Sequence, residues 1–485
     1  MHADLAGASD ERHGPATLAA SCLLAAMAGG MGWGIRGQYG HETGAMIAGL
    51  LVGYTLVLIY CRSWTSLQAA RAIALVTVGV SFGGSMTYGQ TLGLTQNAHL
   101  IGNYEALRWG LLGTFVKGGI WIGFVGAFLG MGLGGKRYRP LDMALLMATL
   151  IALFIFGVWA LNKPFNPAEK IVPPIYFSES WYWKPEGDVR PRPENWGGLL
   201  CALAGLIVYL YAARRDWLAG NMALVGCLAG GLGFSLGQCV QAAHAWNRDL
   251  LVGTPLEGVN PYVNWWNMME ITFGAIWGFV VAAGLWIQRA RIRACPADND
   301  VEIAVPWEFV LAVGYVFALV AGEFLDLFVA SMLIEFGIVA GAASLLLISG
   351  GRYWPYLFAL VIVAVPIAGK TLRELAYEHS EVTLQFGWIT LVLLPLGVML
   401  AAALAFAAAG KRGQSARPYA SIGLLLATWL YFGLNFGFFR IPWPWEAWTG
   451  RTPSAIIFFV CSIGLTLAAI VFGLRKPRPQ TETAE

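Results

Sequence analysis

The chain is patterned as repeated apolar runs of 18 or more residues, separated by short polar breaks. A bilayer core of about 30 Å needs roughly 20 apolar residues per helix. The pattern therefore predicts spans at 15–35, 44–61, 69–93, 110–134, 142–160, 197–213 and 219–245. It continues with 268–288, 305–327, 329–349, 354–370, 385–409, 419–438 and 453–474, fourteen helices in all. The fold class expected is an all-α polytopic membrane protein built from repeated glycine-rich helical hairpins. Composition agrees: 12% of residues are charged and 57% hydrophobic, whereas soluble domains carry about 25% charged residues.

Lys and Arg in short loops orient such a bundle. Loops after even-numbered helices hold Arg62 and Arg71, Lys136 and Arg137, Arg289 and Arg291, and Lys411 and Arg412. Loops after odd-numbered helices are poorer in basic residues. Both termini are thus expected in the cytoplasm of a bacterial-type inner (plasma) membrane. The polar stretch before the first run lacks the basic flank of a cleavable signal peptide, so that run reads as a retained helix. The chain reads as one transmembrane domain, 1–485. Within it, residues 162–196 form the single long outer loop, and their prolines and aromatics predict a folded cap.

The polar residues concentrate at the predicted outer ends. In "GMGWGIRGQYGHETGAM" (30–46), Arg36, Gln38, His41 and Glu42 fall between two apolar runs. A Gly-Gln pair followed by His and then Glu recurs as Gln90, His99 and Glu105, and again as Gln238, His244 and Glu270. The Gln-to-His spacings are three, nine and six residues, so the repeat is loose. A degenerate copy places Asn435 and Glu446 similarly without a His. An acid in the first turn of a helix is favoured by the macrodipole by about 0.3–1 kcal/mol without any function, and Trp and Tyr gather at membrane boundaries simply as interfacial belts. Three features point beyond those explanations. Amides, imidazoles and carboxylates recur together. Lys117 and Glu335 lie about two turns inside the membrane, where a charge needs a partner. The cytoplasmic loops show only short basic turns.

Amides, carboxylates and flat aromatic rings together suit a polyhydroxylated ligand. The chain has 21 Trp, and "WYW", "NWWN" and "WPWEAW" are all predicted outside, so the ligand expected is a carbohydrate or sugar-lipid. For glycoside hydrolysis or glycosyl transfer, a carboxylate pair supplies acid and base or nucleophile. The candidates are Glu42, Glu105, Glu270 and Glu335. Substrate-binding candidates are Arg36, Gln38, His41, Gln90, His99, Asn103, Arg108, Gln238, His244, Asn264, Trp265, Asn267 and Trp445. Arg36, Arg108 and Arg248 suit an anionic group such as a lipid phosphate.

No cofactor and no metal are expected. His41, His99 and His244 lack metal-ligand spacing, and neither a phosphate loop nor a dinucleotide fingerprint occurs. The seven scattered cysteines read as small core residues. Basic residues are dispersed rather than clustered, which excludes a nucleic-acid partner. The expected partners are the lipid bilayer and the sugar ligand. Internal repeats also occur in secondary carriers, whose sites sit near the bilayer midplane. The charges here sit in the outer third, which favours a carbohydrate-active membrane enzyme over a carrier of a sugar or similar small molecule.

Overall fold

The computed structural model describes residues 14–40, 43–169, 171–178, 191–325, 327, 341, 343–442 and 446–474. Runs too apolar to stay in water satisfy their backbone groups internally, and an α-helix does so within one segment. The helices begin with α1 (Pro15–Ile35), α2 (Thr43–Tyr60), α3 (Ser66–Ser81) and the short α4 (Gly89–Gln96). Next come α5 (Tyr104–Leu133), α6 (Pro140–Leu161), α7 (Trp196–Ala213), α8 (Trp217–Trp246) and α9 (Trp265–Ile287). The series closes with α10 (Val305–Phe324), α11 (Ser344–Gly350), α12 (Trp354–Glu378), α13 (Leu384–Gly410), α14 (Ala416–Phe438) and α15 (Thr452–Leu474). Among the described residues, 12 of these are long and apolar enough to cross a membrane, and no strand occurs. The chain is an all-α, multi-pass membrane protein.

Two differences from the apolar pattern stand out. The run 69–93 is not one helix: α3 ends at Ser81, a 3₁₀ turn over Phe82–Ser85 follows, and α4 starts afresh at Gly89. The break falls where Gly83 presses against Trp121, since a Cβ there would lie 2.1 Å from the indole. The second difference is α10, whose apolar core is the shorter run Val305–Leu319, while most of the expected span 329–349 lies outside the described residues.

Helices in lipid associate through small residues that let backbones approach. α1 crosses α9 where a Cβ on Gly29 would sit 2.3 Å from the Gly274 carbonyl oxygen. α5 and α8, each 30 residues long, cross at Gly118 and Gly230 and again at Gly226, whose Cβ would lie 2.2 Å from the Ile122 carbonyl oxygen. The buried centre comprises α2, α3 and the inner faces of α1, α5 and α9; α2 is buried along its whole length. By contrast, α6 and α13 are only 17% buried over their apolar stretches and form the lipid-facing periphery.

The two ends of the bundle differ in chemistry. At one end, Arg71 donates to the carbonyls of Asp300 (2.8 Å) and Gly351 (2.9 Å), and Arg137 pairs with Asp298 (3.3 Å) and Glu302 (2.9 Å). Burial pushes the Asp298 carboxyl above the usual carboxylate range, against the pull of Arg71 and Arg137. So this end also carries a mixed network of acids and bases, where the sequence pattern predicts only basic turns. The α1–α9 and α4–α5 junctions lie at the opposite end, together with the Gly-Gln segments.

Candidate functional site

The segment after α1 is built around a buried ion pair. Arg36 continues α1 as a 3₁₀ turn, and its Nη2 lies 3.2 Å from Glu270 Oε1 on the first turns of α9. Both side chains are almost fully buried, 2% and 4% exposed. Two buried charges are tolerated only when paired and hydrogen-bonded, and here further hydrogen bonds support the pair. Arg36 Nη2 donates to the Tyr88 hydroxyl at 2.5 Å, and Asn267 Nδ2 donates to Glu270 Oε2 at 3.2 Å. The same Asn267 amide donates to the Gly34 carbonyl at 2.7 Å, tying α9 to the end of α1. Aromatic faces enclose the guanidinium: its carbon lies 4.8 Å from the Trp33 ring, 5.4 Å from Tyr88 and 5.6 Å from Trp121. Gly37 leaves room beside the carboxylate, since a Cβ there would sit 3.1 Å from Glu270 Oε2.

The next residues anchor the segment elsewhere. The Tyr39 hydroxyl is 3.1 Å from Thr371 Oγ1 of α12, and its ring meets Phe438 edge-on at 5.7 Å. Gly40 turns the chain at φ +90°, a conformation that side chains resist. Just before Tyr39, Gln38 presents a buried amide oxygen with no hydrogen-bond donor. Gln238 and Gln241 on α8 bury amide oxygens that likewise lack a donor. Buried acceptors without partners are rare and call for an explanation.

A second buried ion pair holds the long loop. Lys117 Nζ lies 2.5 Å from Glu194 Oε1 and donates to Thr91 Oγ1 (2.7 Å) and the Thr87 carbonyl (2.5 Å). Glu194 also accepts from the Phe177 amide at 3.0 Å. Gln90 receives the Ser178 hydroxyl (3.0 Å) and the Arg192 amide (3.3 Å), so it clamps the two described arms of the loop. Gln238 donates to Thr95 Oγ1 at 2.5 Å, fastening α8 to α4.

The other sequence candidates fall in distinct places. Asn103 and Asn264 are helix N-caps: Asn103 accepts from the Ala106 amide (3.0 Å) and Asn264 from Asn267 (2.9 Å). His244 stacks on Trp265, ring centres 4.3 Å apart, and Trp265 Nε1 donates to Asn260 at 3.3 Å. Glu105, Arg108 and His99 are exposed around the start of α5, and Glu105 and Arg108 line one recess of about 270 Å³ with Trp109 and Leu112. Arg248 is exposed after α8. His41, Glu42, Glu335 and Trp445 lie outside the described residues.

Thus Arg36, Asn267 and Glu270 come together, while Glu105 makes none of their contacts. Sequence reasoning missed Tyr88, Trp33 and Trp121 as members of the cluster, and Glu194 as the partner of Lys117. Only Glu194 carried a local signal, an acid at the foot of a long loop just before a helix.

For a cation, Glu374, Glu378 and His379 at the end of α12 offer ligand atoms within 4.8 Å of one another. Arg440 (3.2 Å to Glu374) and Arg373 (3.0 Å to Glu378) already engage the two carboxylates, so the group reads as a surface salt-bridge network. Comparisons with known protein families, with curated proteins and with solved structures find no match for this chain.

Proposed function

We propose that the protein is a membrane-embedded enzyme acting on a carbohydrate or sugar-lipid at its outer end, with Glu270 as the working carboxylate. The observation that carries this reading is the Arg36–Glu270 pair, held under Trp and Tyr rings, with Gln38, whose buried amide oxygen has no donor, two residues along the chain from Arg36. Sugar hydroxyls are donors that such oxygens accept, and indole faces match the apolar face of a pyranose. Arg36 pairs with the Glu270 carboxyl and aims it, as a nucleophile or a group that stabilises an oxocarbenium-like transition state must be aimed. The setting is rigid, because backbone-to-backbone crossings of α1 with α9 and of α5 with α8 leave little room for sliding. Preorganised charge on a rigid frame suits catalysis.

One observation favours a sugar carrier instead. α12 and α13 are interrupted by π-helical segments at Phe358–Ile362, Arg373–Glu378 and Trp388–Leu393, and such segments recur at functional sites that move. The test is purified protein in detergent with a panel of glycosides and lipid-linked sugars, read for released product. Glu270→Gln is expected to lower turnover by about 10²–10⁴-fold, and Glu270→Asp, which keeps the charge beside Arg36, to lower it less. Thermal melting of both variants separates lost chemistry from lost fold. No product from the unaltered protein, together with uptake of unmodified sugar into proteoliposomes, would replace the enzyme by the carrier.

A further inference from the structure

The recess at the start of α5 has the layout of a lipid molecule. α5 spans 30 residues, about 45 Å at 1.5 Å per residue, and so is longer than a hydrocarbon core of about 30 Å. Its apolar stretch begins near residue 110, which places Glu105 and Arg108 one turn beyond, at headgroup depth. Residues 108, 112 and 115 follow the four- and three-residue steps of one helix face. Along that face the charged Arg108 is followed by Leu112 and Phe115, 47% and 40% exposed. Trp109 forms a fixed wall: its Nε1 donates to the Tyr176 carbonyl at 3.0 Å, and its ring lies 5.0 Å from Phe177. Among the described residues, neither Glu105 nor Arg108 has an ion-pair or hydrogen-bond partner, although they stand three residues apart on one helix.

We infer that this recess binds the phosphate of a membrane lipid whose headgroup carries hydroxyls. Arg108 takes the phosphate through its guanidinium fork. The Glu105 carboxylate accepts from headgroup hydroxyls, and the chain lies along Leu112 and Phe115. The same chemistry comes from two sources, a phospholipid with a polyol head or a polyprenyl-phosphate sugar. This inference rests on the sugar-lipid reading above for the second source alone.

Binding to the detergent-solubilised full chain, followed by native mass spectrometry, tests it with didecanoyl phosphatidylglycerol, didecanoyl phosphatidic acid, didecanoylglycerol and a short polyprenyl-phosphate glucose. Phosphatidylglycerol is expected to bind at least tenfold more tightly than didecanoylglycerol, and Arg108→Ala to abolish that difference. Glu105→Ala is expected to spare phosphatidic acid binding while removing the preference for the glycerol headgroup. Tighter, Arg108-dependent binding of the polyprenyl-phosphate glucose would identify the substrate as the occupant; tighter phosphatidylglycerol would identify a resident phospholipid. Equal binding of the neutral diacylglycerol, or binding indifferent to Arg108→Ala, would overturn the inference. Both side chains are exposed, so these variants keep the fold, which melting verifies. The readout is binding alone, so a lack of turnover in the preceding assay leaves this result standing, and the reverse holds as well.

Discussion

At the scale of single residues, the decisive feature is two buried ion pairs, Arg36–Glu270 and Lys117–Glu194. Arg36 and Glu270 are separated by 234 positions in sequence, so no local pattern joins them. What sequence does show is the motif around each one: a glycine-rich turn on Arg36, and two amides and two indoles ahead of Glu270. The local acid–amide chemistry was legible, and the pairing was not, because it depends on how α1 crosses α9. Asn103 and Asn264 illustrate the converse. Each stands one residue before its helix, which is where a capping side chain belongs, and each is a cap. Removing one partner from a buried pair strands the other, with a loss of about 3–5 kcal/mol, whereas an apolar replacement of both can be nearly neutral. Arg36→Met and Glu270→Leu are therefore expected to lower stability steeply one at a time, and the double variant to recover much of the loss. Melting temperatures of the four proteins in one detergent measure the coupling. Additive losses would show that the pair makes no direct contribution.

At the scale of helices, apolar runs locate the spans well because lipid demands nothing more subtle than length and hydropathy. They fail at residues 82–88, where the chain stays apolar while the helix stops, since the stop comes from Trp121 packing on Gly83. Glycine content was likewise visible, but not which glycines matter. Gly226 on α8 faces the Ile122 carbonyl at a distance no Cβ fits, whereas Gly433 on α14 has nothing within 4 Å. The same substitution should then have opposite signs. Gly226→Ala is expected to destabilise by about 1–3 kcal/mol through overpacking. Gly433→Ala is expected to be neutral or slightly stabilising, since alanine exceeds glycine in helix propensity by about 1 kcal/mol. Thermal melts of the two purified variants decide it. A matched loss in both would mean that glycine serves flexibility here rather than close packing.

For the whole molecule, the question is which end faces outward, and the loop charges and the path of the chain bear on it independently. Successive membrane-spanning helices alternate in direction, and the ends meet accordingly: the amides of Glu302 and Ile303, just before α10, both donate to the Gly350 carbonyl at the close of α11 (2.9 and 3.1 Å). The chain therefore leaves the Arg71 end with α10 and is back there by Gly350, so the stretch between them leaves the alternation of the later helices unchanged. On that alternation, Lys136 and Arg412 belong to the same end as Arg71, and the described residues 162–169, 171–178 and 191–196 belong to the end that carries Arg36. Basic residues in short loops are retained on the cytoplasmic side, and on that rule we propose that the Arg36–Glu270 cluster and the Glu105–Arg108 recess face outward. Reporter fusions at Lys136 and Arg412 are expected to read as cytoplasmic, and one within 162–196 as external. A cytoplasmic reading from that loop would turn the whole bundle over, and any substrate would then have to be one made and met inside the cell.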